Sequence, residues 1–254
     1  MNTEVELLPI LDDNYVFMIR RGSDVCLVDP GESELCLEFL GTRKLNLKNI
    51  LITHHHGDHI DGIQQLKKQF PNVKVFAPVK NQNQIHGVDI WVKEGDVIRA
   101  VGATFRVLEL PGHTMGIMAY SDETNLRLFS GDVIFGLGCG RLFEGKPEMM
   151  FESLSRIAKL SAKTQIFCTH EYTMTNLKFV EQLIQQGQMP AHFDHDAFSN
   201  YKKSLLSLRA ANSPSVPLNL AVELRVNPFL LCVQNQDLAR FRELREARNH
   251  FRPK

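Results

Sequence analysis

The stretch Thr53-His54-His55-His56-Gly57-Asp58-His59 limits what this chain can be more than any other part of it. Its three adjacent histidines, with Asp58 and His59 close behind, all carry metal-binding side chains, and they follow the apolar run Ile50-Leu51-Ile52. Side chains in extended backbone alternate between two faces, so His54 and His56 point one way and His55 another. His55 is therefore expected to lie outside the ligand set. Asp58 and His59 follow where the backbone begins to coil, and a single ion does not readily accept all four remaining side chains from so short a loop. Two ions can. Imidazole nitrogen suits borderline divalent cations such as Zn²⁺ or Fe²⁺, and a carboxylate suits a centre that keeps a position open for water. A purification tag is terminal and featureless, whereas this cluster sits between a strand pattern and a helix pattern.

Upstream, residues 5–10, 15–20 and 25–28 read as short strands, separated by Asp12-Asp13-Asn14 and Arg21-Gly22-Ser23-Asp24. Asp29-Pro30-Gly31 stops the third strand, and Asp29 is placed either to support a metal ligand from behind or simply to form a turn. Residues 34–40 read as helix and 49–53 as the strand that delivers the histidine loop. Ile60, Ile63, Leu66 and Phe70 then share one helix face, which Pro71-Asn72 ends.

Strand-like runs recur at 73–77, 90–92, 97–100, 105–110, 117–120, 126–129 and 165–168, with a helix around Met150, Leu154 and Ile157. His113, Asp132 and His170 each come just after one of these runs. With His54, His56, Asp58 and His59 they form a repeated pattern of ligand-type residues past strand ends, where sheets carrying helices gather their ligands. One converged site is expected. The glycine-rich stretch 136–145 permits close backbone approach to a ligand but has no GxGxxG or GKS arrangement, which argues against a nucleotide-phosphate loop.

After about Thr173 the strand signals thin out and helical ones take over: Leu177, Val180 and Leu183, then Tyr201, Leu205 and Leu208, then Leu238, Phe241 and Leu244. Residues 212–228, interrupted by Pro214, Pro217 and Pro228, read as a long connector with one extended piece. The last helix carries Arg240, Arg242, Arg245 and Arg248, and on base rates such residues are solvated. The expectation is an α+β chain, with a catalytic domain over 1–172 and a smaller, mainly helical domain over 173–254.

At 254 residues the chain has ample length for a core. Its formal net charge of +0 offers no general pull toward nucleic acid or an anionic membrane. The five scattered cysteines have no CxxC spacing, which fits a reducing compartment and argues against a disulfide framework. No secretory signal and no apolar run of membrane-spanning length is visible, so a cytoplasmic protein without nucleic-acid or membrane partners is expected.

Thr53 to His59 fits the T-H-x-H-x-D-H signature of the metallo-β-lactamase superfamily, with His113, Asp132 and His170 in the expected order behind it. Within the superfamily the chain resembles the glyoxalase II, or hydroxyacylglutathione hydrolase, family. That likeness runs through Asp13-Asn14-Tyr15, Val28-Asp29-Pro30-Gly31, Pro111-Gly112-His113-Thr114, the 138–145 loop, His170-Glu171-Tyr172-Thr173, Asn227-Pro228-Phe229 and the pair Arg245 and Arg248. It implies an αββα sandwich followed by a helical domain, and a monomer. By the same resemblance, His54, His56 and His113 hold one ion, Asp58, His59 and His170 a second, and Asp132 bridges them; zinc is the leading metal, with iron and manganese open.

The reaction so implied is hydrolysis of a glutathione thioester such as S-D-lactoylglutathione by a metal-activated water, with Asp58 and Asp132 in catalytic positions. Arg141, Phe143, Tyr172, Arg245 and Arg248 would hold the glutathione, whose carboxylates suit guanidinium groups. Phe143 departs from the pattern, since some members place Tyr there, and a hydroxyl donor is lost. The same ligands also serve metal-dependent phosphodiesterases and nucleases, and mononuclear-iron persulfide dioxygenases use fewer of them. Both remain as alternatives.

Overall fold

Short apolar runs make up the first strands, and tight turns separate them. In the computed structural model, which describes residues 3–252, β1 (Glu4–Ile10), β2 (Asn14–Arg21) and β3 (Asp24–Val28) pair antiparallel in order. Strand β2 is buried from Asn14 to Ile19, which is why its sequence is almost continuously apolar there. Helix α1 (Glu34–Thr42) then returns the chain so that β4 (Asn46–Leu51) runs parallel to β3. Helices α2 (Gly57–Ile60) and α3 (Ile63–Gln69) lead to β5 (Lys74–Pro78) and β6 (Ile90–Val92), again parallel. Cys36 and Leu40 of α1 and Ile63 and Leu66 of α3 join Leu27 and Ile50 in one apolar core.

A second sheet begins with an antiparallel meander: β7 (Val97–Ala100), β8 (Ala103–Glu109), β9 (Met118–Asp122) and β10 (Arg127–Gly131). It faces the first. The Phe129 ring centroid lies 5.8 Å from that of Phe17, the Tyr120 hydroxyl donates to Ile52 O at 2.6 Å, and Met118 N donates to Thr53 O at 2.9 Å. These contacts tie the backbone just before the histidine loop to both sheets.

Contacts divide the chain into two units, Met1–Glu109 with Gly116–Gly131, and Leu110–Met115 with Asp132–Lys254. The second unit includes a small hairpin of β11 (Ile134–Phe135) and β12 (Gly138–Cys139), whose second strand lies within the stretch 136–145 expected as loop. After α4 (Pro147–Ala158), β13 (Gln165–Cys168) pairs antiparallel with β14 (Leu218–Asn219). The remaining helices are α5 (Thr173–Gln185), α6 (His195–Ala210), α7 (Leu220–Val226), α8 (Pro228–Gln234) and α9 (Leu238–His250).

Residues 212–228 are thus not a simple connector. The Asn219 side chain accepts from Val222 N and starts α7, and Pro228 opens α8 at its first turn, where a missing N–H costs nothing. Among the described residues all five cysteines are free and buried, and no helix is long and apolar enough to cross a membrane.

Candidate metal centre

In the first unit, strand β4 ends at Leu51 and delivers Thr53 and His54, both fully buried. His54 Nε2 and His56 Nδ1 face each other at 3.0 Å. His59, carried on α2, has its ring centroid 4.0 Å from that of His54 and its Nε2 3.4 Å from Asp58 Oδ2. Asn14, at the head of β2, donates its side-chain amide to Asp58 Oδ2 at 2.9 Å and fixes that carboxylate. Gly31 makes room for the loop: a Cβ there would stand 1.7 Å from Asp58 O, so only glycine fits. His55 turns away and its Nδ1 accepts from Asn81 Nδ2 at 3.0 Å.

The imidazoles of this loop are fixed from behind by Asp29. Its Oδ1 accepts from Thr53 N at 2.7 Å, and its Oδ2 takes the Thr53 hydroxyl at 2.6 Å and His59 Nδ1 at 3.0 Å. With its proton given to Asp29, the Thr53 oxygen accepts from His54 Nδ1 at 3.0 Å. Both rings therefore carry hydrogen on Nδ1 and present the Nε2 lone pair, the tautomer a metal ligand requires. Asp29, open to two readings in the sequence, supports these two imidazoles.

The second unit gathers the other three residues. Asp132 Oδ2 lies 3.4 Å from His113 Nε2 and 3.3 Å from His170 Nε2, and all three residues are buried. His113 donates from Nδ1 to Arg141 O at 2.7 Å, so it too presents Nε2. These distances suit a cation. Ligands about 2.0–2.1 Å from a tetrahedral ion stand about 3.3–3.4 Å apart, and imidazole nitrogen with carboxylate oxygen is the donor chemistry of such centres. The roles of Asn14 and Thr53 went unassigned in the sequence; the one local signal is Thr53 opening the histidine stretch.

Two family models match consecutive parts of the chain: the metallo-β-lactamase superfamily over residues 10–170 and the hydroxyacylglutathione hydrolase C-terminus over 171–251. A hydroxyacylglutathione hydrolase from Bdellovibrio bacteriovorus is 51% identical over 247 residues, covering 96% of this chain and 97% of that one. The chain belongs to the hydroxyacylglutathione hydrolase family. Another member, from Vibrio campbellii, is 39% identical over 98% of this chain and 99% of its own. Among solved structures, ETHE1 from Myxococcus xanthus superposes with a TM-score of 0.71 at 22% identity, over 98% of this chain and 93% of that one, and shares the metallo-β-lactamase fold.

The residues that family likeness assigns to glutathione all lie in the second unit. Tyr172 stacks on His170 with rings 3° from parallel and centroids 4.7 Å apart. Phe143, 59% exposed, meets the His113 ring edge-on at 5.2 Å and lies under the Arg141 guanidinium at 5.2 Å. Arg248 donates from Nε to Asn176 Oδ1 at 2.9 Å. Arg245 is not solvated as base rates suggest: it is buried and donates from Nη1 to Cys139 O at 2.7 Å and Gly140 O at 3.3 Å. Burial, followed by the neighbouring Arg245 charge, holds the Arg248 guanidinium below its ordinary pKa. Two close cations of this kind favour an anionic ligand.

Proposed function

We propose that this protein hydrolyses the thioester of S-(2-hydroxyacyl)glutathione, S-D-lactoylglutathione foremost, to glutathione and a 2-hydroxy acid. The observation that carries the reading is the 51% identity, over nearly the whole length of both chains, to a hydroxyacylglutathione hydrolase. The match of residues 171–251 to the C-terminal family model supports it independently of the histidines.

In this reading two divalent ions, zinc foremost with iron or manganese as alternatives, would be held by His54, His56 and His113, by Asp58, His59 and His170, and by Asp132, which both would share. The donor geometry inside each unit supports this reading: His59 Nε2 lies 3.4 Å from Asp58 Oδ2 in the first, and Asp132 Oδ2 lies 3.4 Å from His113 Nε2 and 3.3 Å from His170 Nε2 in the second. When bound, such ions supply Lewis acidity and bring the pKa of water down toward about 7.

The chain's own residues do the rest. Asp58, fixed by Asn14, orients the attacking water toward the thioester carbonyl. Asp29 and the Arg141 carbonyl keep the imidazoles in the metal-binding tautomer. Arg141, Arg245 and Arg248 hold the glutathione carboxylates, while Tyr172 and the exposed Phe143 ring line its path. A thiolate leaves without full protonation because its conjugate acid has a pKa of about 8.5, so no dedicated acid is needed.

The reading takes residues 1–172 as the catalytic domain and 173–254 as a helical domain that helps to bind glutathione, in a cytoplasmic monomer. Its test is turnover of S-D-lactoylglutathione beside bis(p-nitrophenyl) phosphate and glutathione persulfide. Thioester hydrolysis is expected to dominate. Dominant phosphodiester cleavage, or oxygen uptake with the persulfide, would replace it with one of the alternatives.

A further inference from the structure

Asn176 lies in the first turn of α5, four residues after Tyr172, so the two side chains are neighbours on that helix. It is buried, yet its amide meets two other elements of the second unit. Nδ2 donates to Gly136 O in the β11–β12 hairpin at 2.9 Å, and Oδ1 accepts from Arg248 Nε on α9 at 2.9 Å. A carbonyl on one side and an N–H on the other allow the amide a single orientation. The hairpin leaves room for it, since a Cβ at Gly138 would stand 2.4 Å from Nδ2. The Phe251 ring, with its centroid 5.8 Å from the Arg248 guanidinium carbon, steadies the same group from the end of α9.

This grip leaves both fork and charge open to a ligand. With Nε engaged, the end of the guanidinium that carries Nη1 and Nη2 is the face on offer, and that fork matches a carboxylate through two parallel hydrogen bonds. Among the described residues the acceptors that hold the arginine pair are neutral: Asn176 Oδ1 for Arg248, and Cys139 O, the Cys139 thiol, Gly140 O and Asn249 Oδ1 for Arg245. A carboxylate at position 176 would grip Arg248 equally well but would cancel its charge before a substrate arrived.

We propose that Asn176 is a positioning residue for glutathione recognition, a neutral acceptor that aims the Arg248 fork at a carboxylate of the substrate without cancelling its charge. An arginine side chain has much rotamer freedom to lose on binding, and fixing Nε beforehand removes part of that cost. The inference rests on the glutathione reading above and adds to it a residue that acts through Arg248.

Steady-state kinetics of the full-length, metal-loaded protein with S-D-lactoylglutathione, in a double-mutant cycle of Asn176→Ala and Arg248→Ala, tests the proposal. Asn176→Ala is expected to raise KM roughly fivefold or more with kcat nearly constant. In a chain that already carries Arg248→Ala it should add less than about twofold. Calorimetric titration with glutathione should show the same loss of affinity. Asn176→Asp keeps the shape and the acceptor, and stands as the test if Asn176→Ala fails to fold; its KM should rise at least as far, because the new carboxylate neutralises Arg248. An equal effect of Asn176→Ala with and without Arg248, a fall in kcat alone, or an Asn176→Asp chain with wild-type KM would overturn the proposal and leave the functional reading standing. A wild-type chain that turns over no glutathione thioester would overturn that reading, and this inference with it.

Discussion

Asp29 Oδ2 accepts a hydrogen bond from His59 Nδ1 at 3.0 Å. The same carboxylate reaches His54 through the Thr53 hydroxyl, so one side chain sets the tautomer of two proposed ligands. Asp29→Asn is the clean test, because the backbone there has φ 51°, a conformation Asn tolerates, and the shape is kept. An amide cannot accept from three donors in the same way. Metal affinity, measured by competition with a chelator, should fall about 10–100-fold while circular dichroism is unchanged. Unaltered affinity would mean that the network does not set the ligands.

Arg245 and Arg248 should separate in their effects although they neighbour each other on α9. Arg248→Ala is expected to raise KM for the glutathione thioester by roughly tenfold or more with kcat nearly constant, since it removes binding shared by ground and transition states. A fall in kcat alone would show that its role is not binding. Arg245→Ala should raise KM and also lower the melting temperature, because Cys139 O and Gly140 O lose their buried donor, at a cost of about 1–3 kcal/mol.

Gly140→Ala should damage the centre without touching a ligand side chain. A Cβ at that position would stand 2.0 Å from Asp132 O, a backbone atom that cannot swing aside. Overpacking of this kind costs about 1–3 kcal/mol or more, and it displaces the residue proposed to bridge the ions. Metal content and thermal stability should fall together. A variant that keeps both would show that the two backbones have room to separate.

How much was legible in the sequence divides along physical lines. The histidine loop reads directly because its donors are contiguous and strand alternation sorts His54 and His56 from His55, which the structure turns to Asn81. The distant residues His113, Asp132 and His170 are legible through their shared place after strands, and the second unit brings those three together. Helix α7 was hidden by its flanking prolines, although Asn219 and the Asn227-Pro228 pair are ordinary helix-start residues. The burial of Arg245 and Glu223 was not legible, since both depend on carbonyl and amide groups of a loop 86 to 106 residues away. A local pattern carries no trace of such partners.

Glu223 gives a pH signature in stability. Burial raises its carboxyl pKa from 4.5 to about 7, against the lowering effect of the Leu137, Asn227 and Tyr201 donors. Between these values the native chain holds a proton that the unfolded chain has lost, so stability falls as pH rises from 4.5 to about 7 and is level in this respect above it. The loss is on the order of 3 kcal/mol. Chemical denaturation across that window should show the decline in the wild type and its absence in Glu223→Gln. Parallel curves would contradict the assignment.

The pair of cations is the centre of the account, and counting them is the most direct check. Elemental analysis of the purified protein after exhaustive removal of loosely bound metal should give two divalent ions per chain, with activity lost on chelation and regained on adding metal back. In Asp132→Ala and His54→Ala the content and the turnover should drop together. A wild-type chain that hydrolyses the thioester at full rate with one ion or none would contradict it.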